Sequence, residues 1–322
     1  MRIVSLIPSA TEIVVKLAGA EPLVGRSHEC DHPPEAAHAA VLTTPRTTSL
    51  DPAQIHEQVS SSASAGHSLY QLHADRLRRL APDLIITQDL CDVCSIDLDT
   101  VRAVARELDP QPEIVALDPG SLEGVYDDIL TIGRAIEREE EAHRLIVELR
   151  QRFHDAADHA NPYTEPVRTL FLEWTDPPFV GGHWTPQLIE RAGGAHTLNP
   201  TEPLPGAGAG AGAHAAHRTA GKSFRVAPED IVASAPDAII VAPCGVPLDR
   251  VHEETDALMR TDWFPDLPGV RSGRVALVDG NQMFNRPGPR LVDAFRWLVG
   301  WLNGIPHLIP EGFPWSDYTP SR

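Results

Sequence analysis

The sequence has no long apolar run and no run of basic residues. No stretch approaches the ~20 apolar residues that a membrane-spanning helix needs, so we expect no membrane insertion. The formal net charge is −18 at pH 7, which gives the chain no electrostatic attraction to nucleic acid or to anionic lipid. The composition therefore predicts an acidic globular protein whose partner is neither of these.

Common motifs of nucleotide binding and hydrolysis are also missing. The chain contains no GxGxxG, no Walker loop and no GxSxG. Rossmann-type dinucleotide binding, P-loop chemistry and serine hydrolysis are therefore not expected. No cofactor is required by these patterns, and we expect a protein without catalytic activity.

Cysteine is scarce, with four residues in a chain of 322. That number fits a reducing compartment as well as an oxidising one. Cys91 and Cys94 have CxxC spacing, which metal and redox sites use. A complete metal centre needs Cys30, Cys244 or a histidine to converge from other loops. A disulfide, buried thiols, a metal site and a catalytic pair such as Cys30 with His28 are the alternatives.

The residues that follow Met1 read RIVSLIPSA, a pattern typical of a strand and then a turn. The basic segment, apolar segment and cleavage site of a secretory signal do not precede it, so the sequence as written predicts a cytoplasmic protein. A processed or misassigned start would instead make the protein extracytoplasmic.

Strand and helix patterns alternate along the chain, which predicts an α/β fold with mainly parallel sheets. The predicted strands cover residues 2–6, 23–26, 83–87, 113–117, 167–173, 237–241 and 275–278. The predicted helices cover residues 12–18, 51–62, 73–80, 100–108, 185–192, 228–234 and 291–301, with Ser9 or Thr11 as the N-cap of the first. Ligands of open α/β sheets bind beyond the carboxyl ends of the strands, so the turns at those ends form the candidate site.

A helical segment, residues 121–160, lies between two such alternating regions. Its apolar residues recur at helical spacing, and the charged residues 138–141 divide it into two helices. We expect an N-terminal lobe over residues 1–120, this connecting segment, and a C-terminal lobe over residues 161–322. The alternative is two ordinary helices within one large domain. A Gly/Ala-rich stretch, residues 204–222, predicts a flexible surface insertion in the second lobe.

The order of several segments resembles the helical-backbone substrate-binding proteins of ABC importers. These segments are IVSLIPSATEIVVKLAG, VGRSHECDHP, LAPDLIITQ, FVGGHWTPQLIERAGG, VAPEDIVASAPDAIIVAP and RSGRVALVDGNQMFNRPGPRLVDAF. The vitamin B12-binding branch is the most similar, and iron-siderophore and heme binders are related to it. The resemblance implies two α/β lobes joined by a single long helix, with a ligand held between the lobes and no required cofactor.

The resemblance also implies which residues contact the ligand. They lie in the turns at the strand ends and are Pro8, Ser9, Ala10, His28, Glu29, Cys30, Gln88, Trp174, Phe179, Gly182, His183, Trp184, Met283, Phe284 and Arg286. The B12-binding proteins often have large aromatic residues where Gln88 and Met283 stand, so this chain departs from that branch at two positions. Trp174, Trp184 and Phe284 can still supply apolar walls for a large flat ligand.

In the family that the chain resembles, one carboxylate on each lobe docks to the permease. The matching residues are Asp75 and Glu229, each in the first turn of a predicted helix. An acid in that position is stabilised by the helix dipole in any case, which is the alternative to a docking role.

Two functions are compatible with these observations. The first is non-catalytic binding of a corrinoid (cobalamin-like) or related metal chelate between two lobes, by a monomer that serves an ABC permease. The second is a cytoplasmic thiol or metal-binding protein, or an enzyme, that uses Cys30, Cys91, Cys94 and Cys244. The second requires the cysteines to converge, because metal–sulfur bonds are only ~2.3 Å long.

Overall fold

The computed structural model describes residues 1–47, 49, 51–64, 69–89, 96–204 and 218–319. Cys91, Cys94 and residues 205–217 of the expected insertion lie outside these ranges. The chain divides into two compact units. Unit 1 comprises Met1–Pro119 and Glu123–Glu148, and unit 2 comprises Gly120–Leu122 and Leu149–Arg322.

Unit 1 alternates strands and helices. Its strands are β1 (Ile3–Ser5), β2 (Leu23–Arg26), β3 (Ala40–Val41), β4 (Thr43–Pro45), β5 (Tyr70–Leu72), β6 (Leu84–Gln88) and β7 (Glu113–Leu117). Its helices are α1 (Pro8–Ala18), α2 (Pro52–Ser64), α3 (Ala74–Leu80), α4 (Leu98–Ala105) and most of α5 (Leu122–Ala135), with a 3₁₀-helix at Pro34–His38.

The sheet of unit 1 is parallel, with five strands in the order β3-β2-β1-β6-β7. Its two central strands are buried on both faces: Val4 and Ile85, for example, have no exposed surface. Strands covered on both sides by helices need such continuous apolar sequences. Strands β4 and β5 form a separate antiparallel pair beside this sheet.

Helix α1 begins one turn earlier than the sequence predicts. Pro8 is its first residue and Ile7 occupies the N-cap position without a side-chain hydrogen bond, so the predicted N-cap, Ser9 or Thr11, is wrong. Proline suits this position because its missing N–H would have no partner within the helix. The helix ends at Gly19, whose φ of 75° lies in the region that favours glycine.

The connecting segment consists of two helices, α5 and α6 (Glu139–Ala157), as the charge pattern predicts. Between them Glu137 adopts a φ of 57°, which turns the chain. The first turn of α6 carries Glu139, Glu140 and Glu141, where the helix dipole favours acids. Helix α6 begins in unit 1 and ends in unit 2, since the boundary between the units follows Glu148.

Unit 2 repeats the alternation. Its strands are β8 (Val167–Thr175), β9 (Pro178–Val180), β10 (Gly194–Ala195), β11 (Glu202–Pro203), β12 (Arg218–Thr219), β13 (Phe224–Arg225), β14 (Ala238–Val241), β15 (Val275–Val278) and β16 (Trp315–Asp317). Its helices are α7 (Trp184–Arg191), α8 (Pro228–Ser234), α9 (Leu248–Leu258), α10 (Pro268–Arg271) and α11 (Leu291–Leu302), with 3₁₀-helices at Phe264–Asp266 and Pro306–Leu308.

The sheet of unit 2 has the order β13-β9-β8-β14-β15-β16, with β10 beside β8. Strands β8, β14 and β15 are parallel, while β9, β13 and β16 run antiparallel to their neighbours. Helix α11 packs an aromatic cluster onto this unit: Trp297 is fully buried and stacks on Trp301 and Phe313 with ring centroids 5.5 and 5.4 Å away.

The predicted α/β fold with mainly parallel central sheets is confirmed. Every predicted strand is present, and the predicted helices differ only at their ends. The sequence pattern does not predict the short strands β3, β4, β5, β9, β10, β11, β12, β13 and β16, the helices α9 and α10 or the 3₁₀-helices. Within the described ranges, no helix is both long and apolar enough to cross a membrane.

Candidate functional site

In unit 1 three groups of candidates lie at the carboxyl ends of β1, β2 and β6: Pro8, the first residue of α1; the 28–30 loop after β2; and Gln88, the last residue of β6. These strands are parallel neighbours, so their carboxyl ends lie along one edge of the sheet. Pro8, His28, Glu29 and Gln88 are partly exposed there. These four residues therefore have side-chain surface available to a ligand.

The side chain of His28 is held by Thr43. The backbone N–H of His28 donates to Thr43 Oγ1 over 3.0 Å, and the ring atom Nδ1 lies 2.7 Å from the same oxygen. The Ser27 hydroxyl lies 2.9 Å from Thr43 Oγ1. Because one hydroxyl contacts both the backbone and the ring of His28, it fixes the orientation of the imidazole.

Tyr70 contacts the same histidine with its ring and Glu29 with its hydroxyl. The ring centroids of Tyr70 and His28 are 5.2 Å apart. The Tyr70 hydroxyl donates to Glu29 Oε1 over 2.7 Å, and that oxygen lies 3.9 Å from His28 Nε2. We call His28, Glu29, Thr43 and Tyr70 the His28 cluster.

Burial lowers the pKa of His28 below its usual 6.5, so the imidazole is neutral at neutral pH. Its side chain nevertheless keeps 22% of its surface exposed. A neutral imidazole is a common ligand of iron, cobalt and other transition metals. The His28 cluster therefore places a nitrogen donor, a phenol and a carboxylate beside one another at the carboxyl edge of the unit 1 sheet.

Thr43 and Tyr70 were not among the residues that the sequence indicates. They lie on β4 and β5, strands of three residues each that are separated in the chain by α2. Thr43 pairs with Leu72 and Pro45 with Tyr70. Strands this short show too little alternation for periodicity to identify them, so the sequence carries no usable signal for these two residues.

Residues 28–32 read His-Glu-Cys-Asp-His, which has the HExxH spacing of zinc metalloproteases. The motif works on a helix, where the two histidines share a face. Here the residues form an irregular loop after β2. Among the described residues no three histidine, cysteine, aspartate or glutamate side chains are grouped as a metal site requires. The spacing therefore does not mark a zinc centre.

The other unit 1 candidates lie in the interior. Ser9 and Ala10, in the first turn of α1, are 2% and 0% exposed. Cys30 is 1% exposed, and its thiol lies 3.9 Å from the carbonyl oxygen of Ser5. In this structure these side chains pack within unit 1 and offer a ligand little surface.

In unit 2 two aromatic candidates share one face of the sheet edge. Trp174 of β8 and Phe179 of β9 are cross-strand partners, and Phe179 also faces Arg225 of β13. Directly opposed residues project from the same face of a sheet. Both rings are partly exposed and Arg225 is exposed. This region presents apolar rings beside a guanidinium group.

Gly182 and His183 form the turn that precedes α7. A Cβ on Gly182 would lie 2.1 Å from the backbone nitrogen of Ser223, so only glycine fits. His183 has a φ of 55°, a conformation that costs a residue with a side chain about 1–3 kcal/mol. Its N–H donates to the carbonyl of Gly221 over 2.9 Å. The partly exposed ring of His183 lies 5.6 Å from that of Trp184.

The remaining unit 2 candidates are core residues. Trp184, Met283, Phe284 and Arg286 are 6%, 7%, 1% and 7% exposed. The indole N–H of Trp184 donates to the carbonyl oxygen of Phe284 over 2.6 Å, and Arg286 Nη2 donates to Asn281 Oδ1 over 3.0 Å. Trp184 and Phe284 therefore stabilise the core of unit 2. The structure does not place them as the exposed apolar walls that the sequence predicts.

Among the described residues, Cys30 and Cys244 belong to no group of three possible metal ligands. Cys30 is a buried thiol of unit 1, and Cys244 is an exposed thiol that follows β14 in unit 2. Cys91 and Cys94 lie outside the described residues.

The two acids expected to dock to a permease are both on the surface. Asp75, in the first turn of α3, is 85% exposed and forms an ion pair with Arg78 at 2.7 Å. Glu229, in the first turn of α8, is exposed. Their positions agree with a docking role and with simple stabilisation by the helix dipole.

Comparison with known proteins gives a family match over most of the chain. A family model described as "Periplasmic binding protein" matches residues 3–281. No curated protein matches the sequence.

Solved structures share the fold at low sequence identity. The periplasmic heme-binding protein RhuT from Roseiflexus sp. RS-1 has a TM-score of 0.67 and 23% identity, with 94% of this chain and 98% of that chain covered. A periplasmic heme-binding protein from Pseudomonas aeruginosa has a TM-score of 0.67 and 19% identity, with 100% and 99% covered. The periplasmic vitamin B12-binding protein BtuF of Vibrio cholerae has a TM-score of 0.61 and 19% identity, with 95% and 97% covered.

Proposed function

Because the chain belongs to the periplasmic binding protein family, we propose that it captures a metal tetrapyrrole, a corrinoid or heme, as the substrate-binding component of an ABC importer. Proteins of this family bind solutes without catalysis and carry no cofactor, so the chain is not an enzyme. The resemblance inferred from the order of sequence segments is confirmed at the level of the family. The enzyme considered as an alternative is thereby excluded.

The observation that carries the proposal is the His28 cluster. A neutral, partly exposed imidazole lies at the carboxyl edge of the unit 1 sheet, 5.2 Å from the Tyr70 ring. Tetrapyrroles occupy four positions around their metal and leave the axial positions for a donor such as imidazole. The described residues do not group three donors around one point, so a metal that arrives with its own equatorial ligands suits this cluster better than a bare ion.

The exposed face of unit 2 supports the same ligand class. Trp174 and Phe179 supply apolar rings, which favour flat conjugated ligands. Arg225, opposite Phe179, supplies a positive charge. Heme carries carboxylates and cobalamin carries a phosphate, and either group is a partner for a guanidinium.

Corrinoid and heme remain the two candidates within this class. Segment order favours a corrinoid, while the His28 cluster favours any metal with an open axial position, heme iron included. Solved structures with the same fold include heme-binding proteins and a vitamin B12-binding protein.

Titration with metal complexes tests the proposal. We expect hemin, aquocobalamin or both to change the visible spectrum at a stoichiometry of one and to raise Tm, because a ligand that binds only the folded state stabilises it. A ferric siderophore such as ferrichrome serves as the control chelate. No spectral change and no Tm shift with either tetrapyrrole would overturn the proposal.

We also propose that Asp75 and Glu229 dock the protein to an ABC permease outside the cytoplasm. Replacing both with alanine should weaken binding to vesicles that carry a permease for the identified ligand, while ligand affinity stays unchanged. Asp99 is a matched control, because it too lies in a first helical turn, is 87% exposed and pairs with an arginine three residues on. Equal binding by the Asp75/Glu229 and Asp99 variants would rule out the docking role.

A further inference from the structure

We infer that His28 binds the metal of the ligand through Nε2, and that Thr43 is the residue that positions it to do so. The inference rests on the proposed function, since it requires a ligand whose metal has an open axial position. Thr43 is 2% exposed, so it acts through His28 and not by touching the ligand.

The contacts of the imidazole distinguish its two nitrogens. Nδ1 lies 2.7 Å from Thr43 Oγ1, a buried oxygen that also accepts the backbone N–H of His28 over 3.0 Å. A metal at Nδ1 would have to displace this hydroxyl. Nε2 lies on the other side of the ring, 3.9 Å from Glu29 Oε1, which is beyond hydrogen-bond distance. Nδ1 is therefore occupied by Thr43, and we assign the ligand to Nε2 of this partly exposed ring.

In the metal-bound form the Thr43 hydroxyl has a hydrogen-bond partner for its proton and for each of its lone pairs. A metal at Nε2 leaves the proton of the neutral ring on Nδ1, and Thr43 Oγ1 has two lone pairs that accept Nδ1–H and the backbone N–H of His28. The Thr43 hydroxyl then donates its own hydrogen bond to Ser27 Oγ, 2.9 Å away. Ser27 Oγ also accepts the N–H of Glu29 over 3.3 Å. No donor or acceptor of the Thr43 hydroxyl is left without a partner.

The β4–β5 pair holds the imidazole from two directions. The hydroxyl of Thr43, on β4, is hydrogen-bonded to Nδ1 of the imidazole. Tyr70, on β5, packs against the imidazole with ring centroids 5.2 Å apart. The two strands are hydrogen-bonded to each other, so both contacts come from one strand pair. Metal-binding histidines in proteins usually have their second nitrogen bonded to such a partner, which sets the tautomer and the ring orientation.

This arrangement narrows the ligand class. Heme iron and the cobalt of aquocobalamin each have an axial position that imidazole can take. A hexadentate ferric siderophore has none, because its oxygen donors fill the coordination sphere. The inference therefore predicts that the protein binds metal tetrapyrroles with an exchangeable axial ligand and does not bind coordinatively saturated ferric siderophores.

Substitution of Thr43 tests the positioning role. Thr43→Val keeps the shape of the side chain and removes the hydroxyl, and Thr43→Ser keeps the hydroxyl. We expect Thr43→Val to bind hemin or aquocobalamin about 10–100-fold more weakly and to shift the bound spectrum towards that of His28→Ala. Thr43→Ser should restore both the affinity and the spectrum. Equal losses in the valine and serine variants would overturn the role of the hydroxyl.

Nitrogen NMR of the wild-type protein tests the assignment without any substitution. With ¹⁵N-histidine and diamagnetic zinc protoporphyrin, which takes one axial ligand, we expect His28 Nδ1 to carry a proton and Nε2 to show the shift of a metal-bound nitrogen. Metal binding at Nδ1, or no change at either nitrogen, would overturn the inference.

The outcomes separate this inference from the function on which it rests. If the wild-type protein binds a tetrapyrrole but His28→Ala binds it with the same affinity and spectrum, the inference fails and the proposed function stands. If the wild-type protein binds neither hemin nor aquocobalamin nor zinc protoporphyrin, both fail.

Discussion

The hydroxyl of Tyr70 donates to the carboxylate of Glu29 over 2.7 Å, although the two residues are 41 positions apart in the chain. This bond joins β5 to the loop that follows β2. It also orients the carboxylate whose Oε1 lies 3.9 Å from His28 Nε2. The loop that carries the candidate metal ligand is thus tied to a strand pair outside the main sheet of unit 1.

Tyr70→Phe isolates the contribution of that hydrogen bond. The substitution keeps the ring against His28 and removes the donor to Glu29. We expect the free energy of unfolding to fall by about 0.5–1.5 kcal/mol, the usual net value of a hydrogen bond, in urea denaturation. Tyr163→Phe is the matched control, because Tyr163 is 95% exposed. Equal stability of the two variants would contradict the role given to this bond.

Gly182→Ala tests the close approach in the turn before α7. The added Cβ would lie 2.1 Å from the backbone nitrogen of Ser223, and a backbone atom cannot move aside as a flexible side chain can. We expect a loss of roughly 3 kcal/mol or more in unfolding free energy, at the upper end of overpacking effects. Gly120→Ala is the control, since its Cβ would meet no atom within 4 Å.

Tryptophan fluorescence suits the measurement on Gly182, because all six tryptophans of the chain lie in unit 2. A fluorescence unfolding curve of Gly182→Ala that coincides with that of the wild type would show that the turn tolerates a side chain.

Asp128→Asn should stabilise unit 1 at neutral and alkaline pH. Burial, with the neighbouring carboxylates Asp127 and Asp118, raises the pKa of Asp128 from 3.8 to about 7. Between these values the unfolded chain loses a proton that the folded chain keeps, so stability falls as pH rises from about 4 to 7 and is lowest above 7. The upper bound on this loss is roughly 4 kcal/mol.

Calorimetric unfolding at pH 5 and pH 8.5 measures this effect. The asparagine variant should lose less stability than the wild type between the two values, whereas Asp158→Asn, at an exposed position after α6, should follow the wild type. An identical pH dependence of Asp128→Asn and wild type would show that Asp128 ionises without cost.

We expect unit 2 to lose stability in acid because of the buried side chain of His196. Burial lowers its pKa from 6.5 to about 4, and its Nδ1 accepts the N–H of Asn199 over 3.2 Å. As pH falls from 6.5 to about 4 the unfolded chain takes up a proton that the folded chain does not, so stability is lost over this window by up to roughly 3 kcal/mol. Tryptophan fluorescence during urea unfolding should show this loss, and His196→Gln should reduce it. A variant as acid-sensitive as the wild type would contradict the assignment.

The sequence predicts the framework of this protein better than its site. Long periodic segments such as α5 and β8 show their burial patterns directly, because each face meets one environment over many residues. The exposure of aromatic residues is harder to predict. Trp174 and Trp184 both lie near the predicted end of a strand. In the structure Trp184 donates a hydrogen bond to the carbonyl oxygen of Phe284 in the core, whereas Trp174 keeps exposed surface. A sequence pattern cannot distinguish these because the difference arises from packing between elements distant in the chain.

The His28 cluster illustrates the same limit within unit 1. His28 and Glu29 could be predicted because they follow a clear strand. Thr43 and Tyr70 could not, because the pairing of β4 with β5 brings them to the histidine from short strands on either side of α2. The HExxH spacing of residues 28–32 shows that a motif is informative only in its structural context, because here it lies in an irregular loop and not on a helix.

The central claim is that this chain binds a metal tetrapyrrole, and native mass spectrometry tests it most directly. The wild-type protein is mixed with equal amounts of hemin, aquocobalamin and ferrichrome. The same experiment is done with two variants, His28→Ala and His143→Ala. His143 is a control histidine on α6 whose side chain is 61% exposed. We predict a one-to-one complex with a tetrapyrrole and none with ferrichrome, lost in His28→Ala and retained in His143→Ala. A spectrum that shows only the unbound protein, or only the ferrichrome complex, would contradict the account.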